Sequence, residues 1–178
     1  MDRTPDERAP LHAVLRLRPF RAEDEADARA AHEAMRGDFP FLLDYAANEA
    51  WSAYLQRRRA NSRGERLPRG WVASTFLAAT AERRLVGRVS IRHELNNWLA
   101  TYGGHIGYAV LPAVRRRGYG TEILRQSLVV ARALGIDEVL VTCDVDNLAS
   151  AGVIEACGGV FESVAAGDGP PKRRYWFR

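Results

Sequence analysis

The residues best suited to chemistry in this sequence form one short loop, Arg115-Arg116-Arg117-Gly118-Tyr119-Gly120-Thr121. Gly118 and Gly120 have no side chain to keep a ligand off the backbone, so their N–H groups can approach phosphate oxygens. The helical pattern that follows makes those groups the start of a helix, where unpaired donors and the helix dipole both favour an anion. The Thr121 hydroxyl adds a donor, and Arg115 and Arg116 supply charge-assisted bonds. The alternative is a tight strand-to-helix turn with solvated arginines. The preceding strand, the arginines, the glycines and the amphipathic helix agree instead on an anion site. A phosphate loop would need Gly-Lys-Ser/Thr, and a dinucleotide fingerprint a third glycine, and neither fits the spacing.

The elements that must hold this loop follow from periodicity. Ala13 to Phe20 alternates like a strand, and Glu23, Asp24 and Glu25 open a helix running to about Met35. Asp44 is expected to cap a second helix through Ala47, Ala50, Trp51, Tyr54 and Leu55 to about Arg59. Residues 61–70 read as a polar loop. Trp71 to Ala79 and Leu85 to His93 then form an antiparallel hairpin. Residues 94–102 fit no pattern, and His105 to Leu111 is a strand ending at Pro112.

From Gly118 the period changes to a helix closed by Gly135, with Ile123, Leu124, Leu128, Ala131 and Leu134 on one face. Glu138 to Cys143 is a buried strand. A short helix from Leu148 to Cys157 and two strands, Val160 to Val164 and Arg174 to Phe177, complete an α/β arrangement with a mixed sheet.

Length favours one domain, expected over residues 13–178 after a charged, proline-containing lead at 1–12. That lead lacks the apolar stretch of a secretion signal, and no segment has the length of a membrane helix. Cys143 and Cys157 lie in apolar surroundings without metal-ligand spacing, so they read as core residues of a cytoplasmic protein with no metal site. The 26 basic and 22 acidic residues are largely interspersed. Basic clusters stand at Arg57–Arg59, Arg115–Arg117 and Lys172–Arg174, and a ligand with several phosphates explains the second at least as well as a duplex does. A nucleic-acid-binding protein using all three is the lesser rival, for which no reader motif is present.

Arg115-x-x-Gly118-x-Gly120, placed after the Tyr-Ala-Val-x-Pro strand, resembles the acetyl-coenzyme A signature of the GNAT superfamily of acetyltransferases. Asp146-Asn147, opening a helix that ends at Gly158-Gly159, resembles that family's second landmark. The resemblance spans about Val14 to Phe177. It implies a mostly antiparallel sheet with a splayed central strand pair, flanked by helices, and acetyl transfer from acetyl-CoA to a primary amine by direct attack in a ternary complex. Backbone groups of Tyr108 to Val110 would pair with the pantetheine arm, across a gap from Val139 to Cys143. An N–H near Tyr108 would hold the oxyanion. Arg115, Arg116, Gly118, Tyr119, Gly120 and Thr121 would take the pyrophosphate, and Asn147 and Ser150 would lie along the arm. Asn147 and Ser150 have the alternative role of capping their helix.

The family's usual general acid, a Tyr in the helix after the Asn, corresponds here to Ile154, so Tyr108, Tyr175 or solvent must replace it. The candidate bases are Glu94 and His105, with His93 behind them. His105 shares a face with Gly107 and Ala109, and Glu94 lies on the polar side of its strand with Ser90 and Arg92. The Trp51, Tyr54 and Arg58 side of the second helix reads first as core packing, with a wall of the acceptor pocket as the alternative. The run Lys172–Phe177 either flanks that pocket or forms a solvated edge strand. The acceptor is a small-molecule or peptide amine, and a homodimer is left open. A catalytically silent acyl-CoA-binding module is the rival within the same fold.

Overall fold

The computed structural model describes residues 14–166 and 169–178, so the expected lead at 1–12 lies outside the described residues. In chain order the elements are β1 (Leu15–Pro19), α1 (Glu25–Ala34), α2 (Trp51–Ser62), β2 (Ser74–Ala81), β3 (Arg84–Arg92), a π-helical turn (Leu99–Gly103) and β4 (Ile106–Val110). Then come a 3-10 turn (Pro112–Val114), α3 (Tyr119–Ala133), β5 (Val139–Asp144), α4 (Leu148–Ala156), β6 (Val160–Ala165) and β7 (Lys172–Phe177). The strands form one seven-stranded sheet in the order β1-β2-β3-β4-β5-β7-β6. All neighbours are antiparallel except β4 and β5, which run parallel.

The β2–β3 hairpin turns on Glu82 and Arg83, both left-handed at φ 49° and 65°. Two such residues give the turn whose twist matches the strands. Strand alternation then sends Leu77, Val89, Ile91 and Ile106 to one face, where Ile123, Leu124 and Leu128 of α3 bury them together with Ile154 of α4. The other face carries Phe76, Ala78 and Ala109 under α1 and α2. Each large apolar side chain so buried stabilises the fold by roughly 1.5–3 kcal/mol, and the sheet is thus a partition between two cores.

Arg88 is an exception on the second face, a guanidinium only 1% exposed. It donates to the carbonyls of Phe41 (3.1 Å), Gly107 (3.0 Å) and Pro40 (2.7 Å) and lies over the rings of Phe39 and Phe76. Each charge-assisted bond contributes on the order of 1.5–3 kcal/mol. Arg88 therefore clamps the 39–41 segment onto β4.

One expectation is corrected and two alternatives are decided. Asp44 caps nothing: it is left-handed (φ 51°) and pairs with Arg57, and α2 starts only at Trp51 behind Ala50. The Trp51 and Tyr54 stripe is core, with Trp51 donating to the Arg21 carbonyl at 2.9 Å. Strand β7 is no edge strand, because β6 lies outside it. The unassigned stretch 94–102 runs into the π-helical turn, which Gly103 and Gly104 close.

Gly104 has φ 62° and ψ −177°, a region open almost only to glycine, and an added Cβ would lie 2.6 Å from the Leu140 carbonyl oxygen. Gly104→Ala is expected to cost roughly 3 kcal/mol and lower Tm by about 6–12 °C. A thermal melt matching wild type would refute this account of the β4–β5 junction.

Candidate active site

The site begins where β4 and β5 part. Arg92 N–H donates to His105 O (2.8 Å) and Leu111 N–H to Val86 O (2.9 Å). Antiparallel alternation therefore assigns the odd-numbered residues of β4 to β3, and turns the N–H and C=O groups of Ile106, Tyr108 and Val110 toward β5. Only Ile106 finds a ladder partner there, Val141. The Val110 carbonyl accepts from Arg115 Nε at 3.1 Å. The Tyr108 main-chain groups face an open wedge.

At the apex His105 bridges the strands. Its N–H donates to Leu140 O (2.7 Å), and its Nδ1 accepts the Leu140 N–H (3.0 Å). With Nδ1 spent on an N–H, the neutral ring carries its proton on Nε2. Burial and the nearby Arg92 charge push its pKa below the ordinary histidine value. The sequence reading of His105 as a base is thus corrected: its lone pair holds the strands together.

The loop stands at the wide end of the wedge. Gly118 is left-handed (φ 78°) and α3 follows, its first internal bond running from Glu122 N–H to Gly118 O. The N–H groups of Gly118, Tyr119, Gly120 and Thr121 consequently have no acceptor within the helix. A Cβ on Gly120 would face Val153, Tyr108 and Val110 at 3.5–3.8 Å, so the missing side chain leaves a cradle over the end of β4. Arg116 is exposed and left-handed at φ 63°. Arg115 departs from its expected role: its guanidinium is tied to the Val110 carbonyl and to the Asp38 carboxylate.

Tyr108 and Ser150 are brought together, hydroxyl to hydroxyl, at 3.0 Å. Burial pushes the Tyr108 phenol up to about 12. Asn147 does cap α4, its Oδ1 accepting the Ser150 N–H at 3.0 Å. Ile154 is fully buried core, and the Tyr175 hydroxyl is committed to Glu155 at 2.9 Å.

A cavity of about 400 Å³ opens on the opposite face of the sheet, walled by Leu43, Trp71, Val72, Trp98 and Leu99. Its polar lining includes Ser74, Ser90 and Arg92. None of Trp51, Tyr54 and Arg58 lines it, although Arg58 lies against the ring of Trp71. Glu94 is exposed beyond the end of β3 and outside this lining, and His93 pairs with the Thr75 hydroxyl at 2.9 Å. The polar side of β3 thus turns inward as far as Arg92 and stops short of Glu94. Beside the cavity, Arg174 of β7 bonds the Ala100 carbonyl in the π-helical turn.

Residues 15–160 match the family described as acetyltransferase (GNAT) domain. The chain belongs to the GNAT acetyltransferase family. Its fold is shared with RimJ of Mycobacterium smegmatis, solved with a CoA disulfide, at 18% identity and TM-score 0.69 over 93% of this chain and 82% of that one. It is also shared with a Salmonella typhimurium acetyltransferase that modifies the N-terminal serine of a 50S ribosomal subunit protein (20% identity, TM-score 0.63, 92% and 94% covered). A third is the microcin C7 self-immunity acetyltransferase MccE with acetyl-CoA and AMP (16%, TM-score 0.64, 92% and 91%). No curated protein matches the sequence significantly. The splayed strand pair and the mostly antiparallel sheet are as the resemblance implied.

His32, His93 and His105 all have pKa values lowered chiefly by burial. Unfolded histidines take up protons near pH 6.5, so the stability these three contribute is complete above about 6.5 and is lost as pH falls through their folded values. Tm is expected to drop between pH 7 and 5. His105→Asn, whose side-chain oxygen can accept the Leu140 N–H, should flatten that slope. An unaltered slope would remove His105 from the junction.

Proposed function

We propose that this protein transfers the acetyl group of acetyl-CoA to a primary amine by direct attack. The observation that carries the reading is the wedge itself: unpaired main-chain groups of Tyr108 lie between β4 and β5, with four unpaired helix N–H groups at the wide end. The residues present suit the co-substrate. The amides of residues 118–121 and the exposed Arg116 answer a pyrophosphate, and the Gly120 cradle leaves width for a pantetheine arm. Asn147 and Ser150 flank the arm, and Tyr119 and Thr121 complete the turn. The structural relatives solved with CoA or acetyl-CoA support the choice of donor.

Acetyl-CoA supplies an activated thioester carbonyl. The Tyr108 N–H, aimed into the wedge, stabilises the oxyanion as the C–N bond forms, and proximity supplies much of the rate. As the C–S bond breaks, the Tyr108–Ser150 hydroxyl pair donates to the departing sulfur. With the phenol at about 12 and a thiol near about 8.5, full proton transfer from Tyr108 is uphill. The pair therefore acts as a hydrogen-bond donor while solvent supplies the proton. Glu94, though exposed, stays the nearest acid in sequence to the cavity residue Arg92 and is proposed as a water-mediated base for the amine.

Acetyl-CoA is expected to raise Tm, and Gly120→Trp to abolish that shift while melting within a few degrees of wild type without ligand. Retention of the full shift in the variant would move the cofactor elsewhere. Tyr108→Phe should slow thiol release about 10–100-fold with little change in the acetyl-CoA-induced shift. An unchanged rate would exclude the hydroxyl pair, and Glu94→Gln at full activity would exclude that base.

A further inference from the structure

The cavity on the α1/α2 face holds a cation without a counter-ion. Arg92 is half-buried, and Nη1 alone is used by the protein, donating to the carbonyls of Gly103 (2.9 Å) and Gly104 (3.1 Å). Those two bonds fix the plane of the guanidinium. Among the described residues, Nε and Nη2 have no hydrogen-bond partner and Arg92 has no acidic one, whereas Arg88, four residues earlier on the same face, places all three nitrogens on carbonyls. Arg88 is a structural clamp and Arg92 presents an unused fork. Arg69 also lines the cavity and no acidic residue does.

The site is built around that fork. Ser90 and Ser74 are 1% and 5% exposed, both line the cavity, and neither hydroxyl makes a side-chain hydrogen bond among the described residues. These hydroxyls and the free Arg92 nitrogens are not sealed orphans but meet the solvent of the cavity. Together they offer one face of donors to an acceptor-rich ligand that displaces that water. The remaining walls are Leu43, Trp71, Val72, Trp98 and Leu99, which suit an apolar body. A volume of about 400 Å³ suits a molecule of amino-acid size.

The distance to the wedge narrows the ligand further. A Cβ on Gly107 would lie 3.4 Å from both Nη1 and Nη2 of Arg92, so the guanidinium rests against β4 one residue before Tyr108. An anion on the fork is then only a few bonds from an amine positioned at the Tyr108 N–H. We infer that the acceptor is a free amino acid with an apolar or aromatic side chain, its carboxylate held bidentately by Arg92 with Ser74 and Ser90 alongside. Its amino group points through the sheet at the wedge. A protein N-terminus lacks a carboxylate so close to its amine. The inference rests on the acetyl-transfer reading for the reaction, while carboxylate binding can be read without turnover.

The test uses product-like probes and substrates together. N-acetylphenylalanine should bind the full-length protein about tenfold or more tighter than N-acetylphenylalaninamide by calorimetry, because the amide cannot pair with the fork. Arg92→Gln should reduce that ratio to about twofold or less and leave the acetyl-CoA thermal shift intact. Should that variant fail to fold, Ser90→Val carries the same test: it is expected to weaken the acid more than the amide. Equal binding of acid and amide to wild type, or a preference that survives the substitutions, overturns the proposal. Preference for a 1-aminoalkylphosphonate over the amino acid overturns the carboxylate assignment. Thiol release should follow phenylalanine and leucine over their amides and over a peptide amide. Equal release with all three overturns the acceptor class while acetyl transfer stands. No release with any amine, alongside Arg92-dependent binding of N-acetylphenylalanine, removes acetyl transfer and leaves the carboxylate site.

Discussion

Everything at the centre of this protein depends on two parallel strands that touch at one residue pair and then separate. A continuous β4–β5 ladder would satisfy the main chain of Tyr108 internally and leave nothing to offer a ligand. Separation has a cost, since peptide groups without partners in a half-buried place are unfavourable. The structure limits that cost by fastening the apex rather than the flanks. His105 supplies two bonds to Leu140, one from its main chain and one to its ring, and Gly104 adopts a conformation other residues resist. Arg115 takes the Val110 carbonyl, which leaves Tyr108 as the exposed step of the strand.

The two faces of the sheet divide the work. On one side α3 and α4 pack an apolar core and turn their N-termini and the Tyr108–Ser150 pair toward the wedge. On the other, α1 and α2 cover only part of the strands, and the uncovered part of β2 and β3 forms the cavity wall. β3 is thus buried along both faces, but its second face is buried as polar and cationic groups, Arg88, Ser90 and Arg92.

That double burial explains what was and was not legible in the residues. The loop at 115–121, the helix after it and the Asn147 landmark carry strong local signals: glycines, a change of period and a cap. Their positions in the fold follow the reading closely. The parting of β4 from β5 was accessible only through family resemblance, since strand periodicity says nothing about which neighbour a strand abandons. The burial of the polar side of β3 was hidden because Arg88-Val89-Ser90-Ile91-Arg92 alternates as a half-solvated strand does. Long-range closure by residues 39–43 and by the π-helical turn buries the polar half. A local clue existed in Gly107 and Ala109, small residues that leave room for two guanidiniums beside β4. Asp44 misled for a different reason: its carboxylate pairs with the Arg57 side chain midway along α2 instead of accepting from that helix's first turn.

The hydrogen bonds of the Arg88 clamp all go to main-chain oxygens, those of Pro40, Phe41 and Gly107. A carbonyl is present whatever residue carries it, so apart from the Phe39 ring against the guanidinium the anchoring of the 39–41 segment does not depend on the side chains there. The adjoining cavity wall can therefore change shape by substitution, at Leu43 for instance, without detaching from the sheet. An arrangement of this kind lets the lining of the cavity vary while the geometry of β4 is held constant.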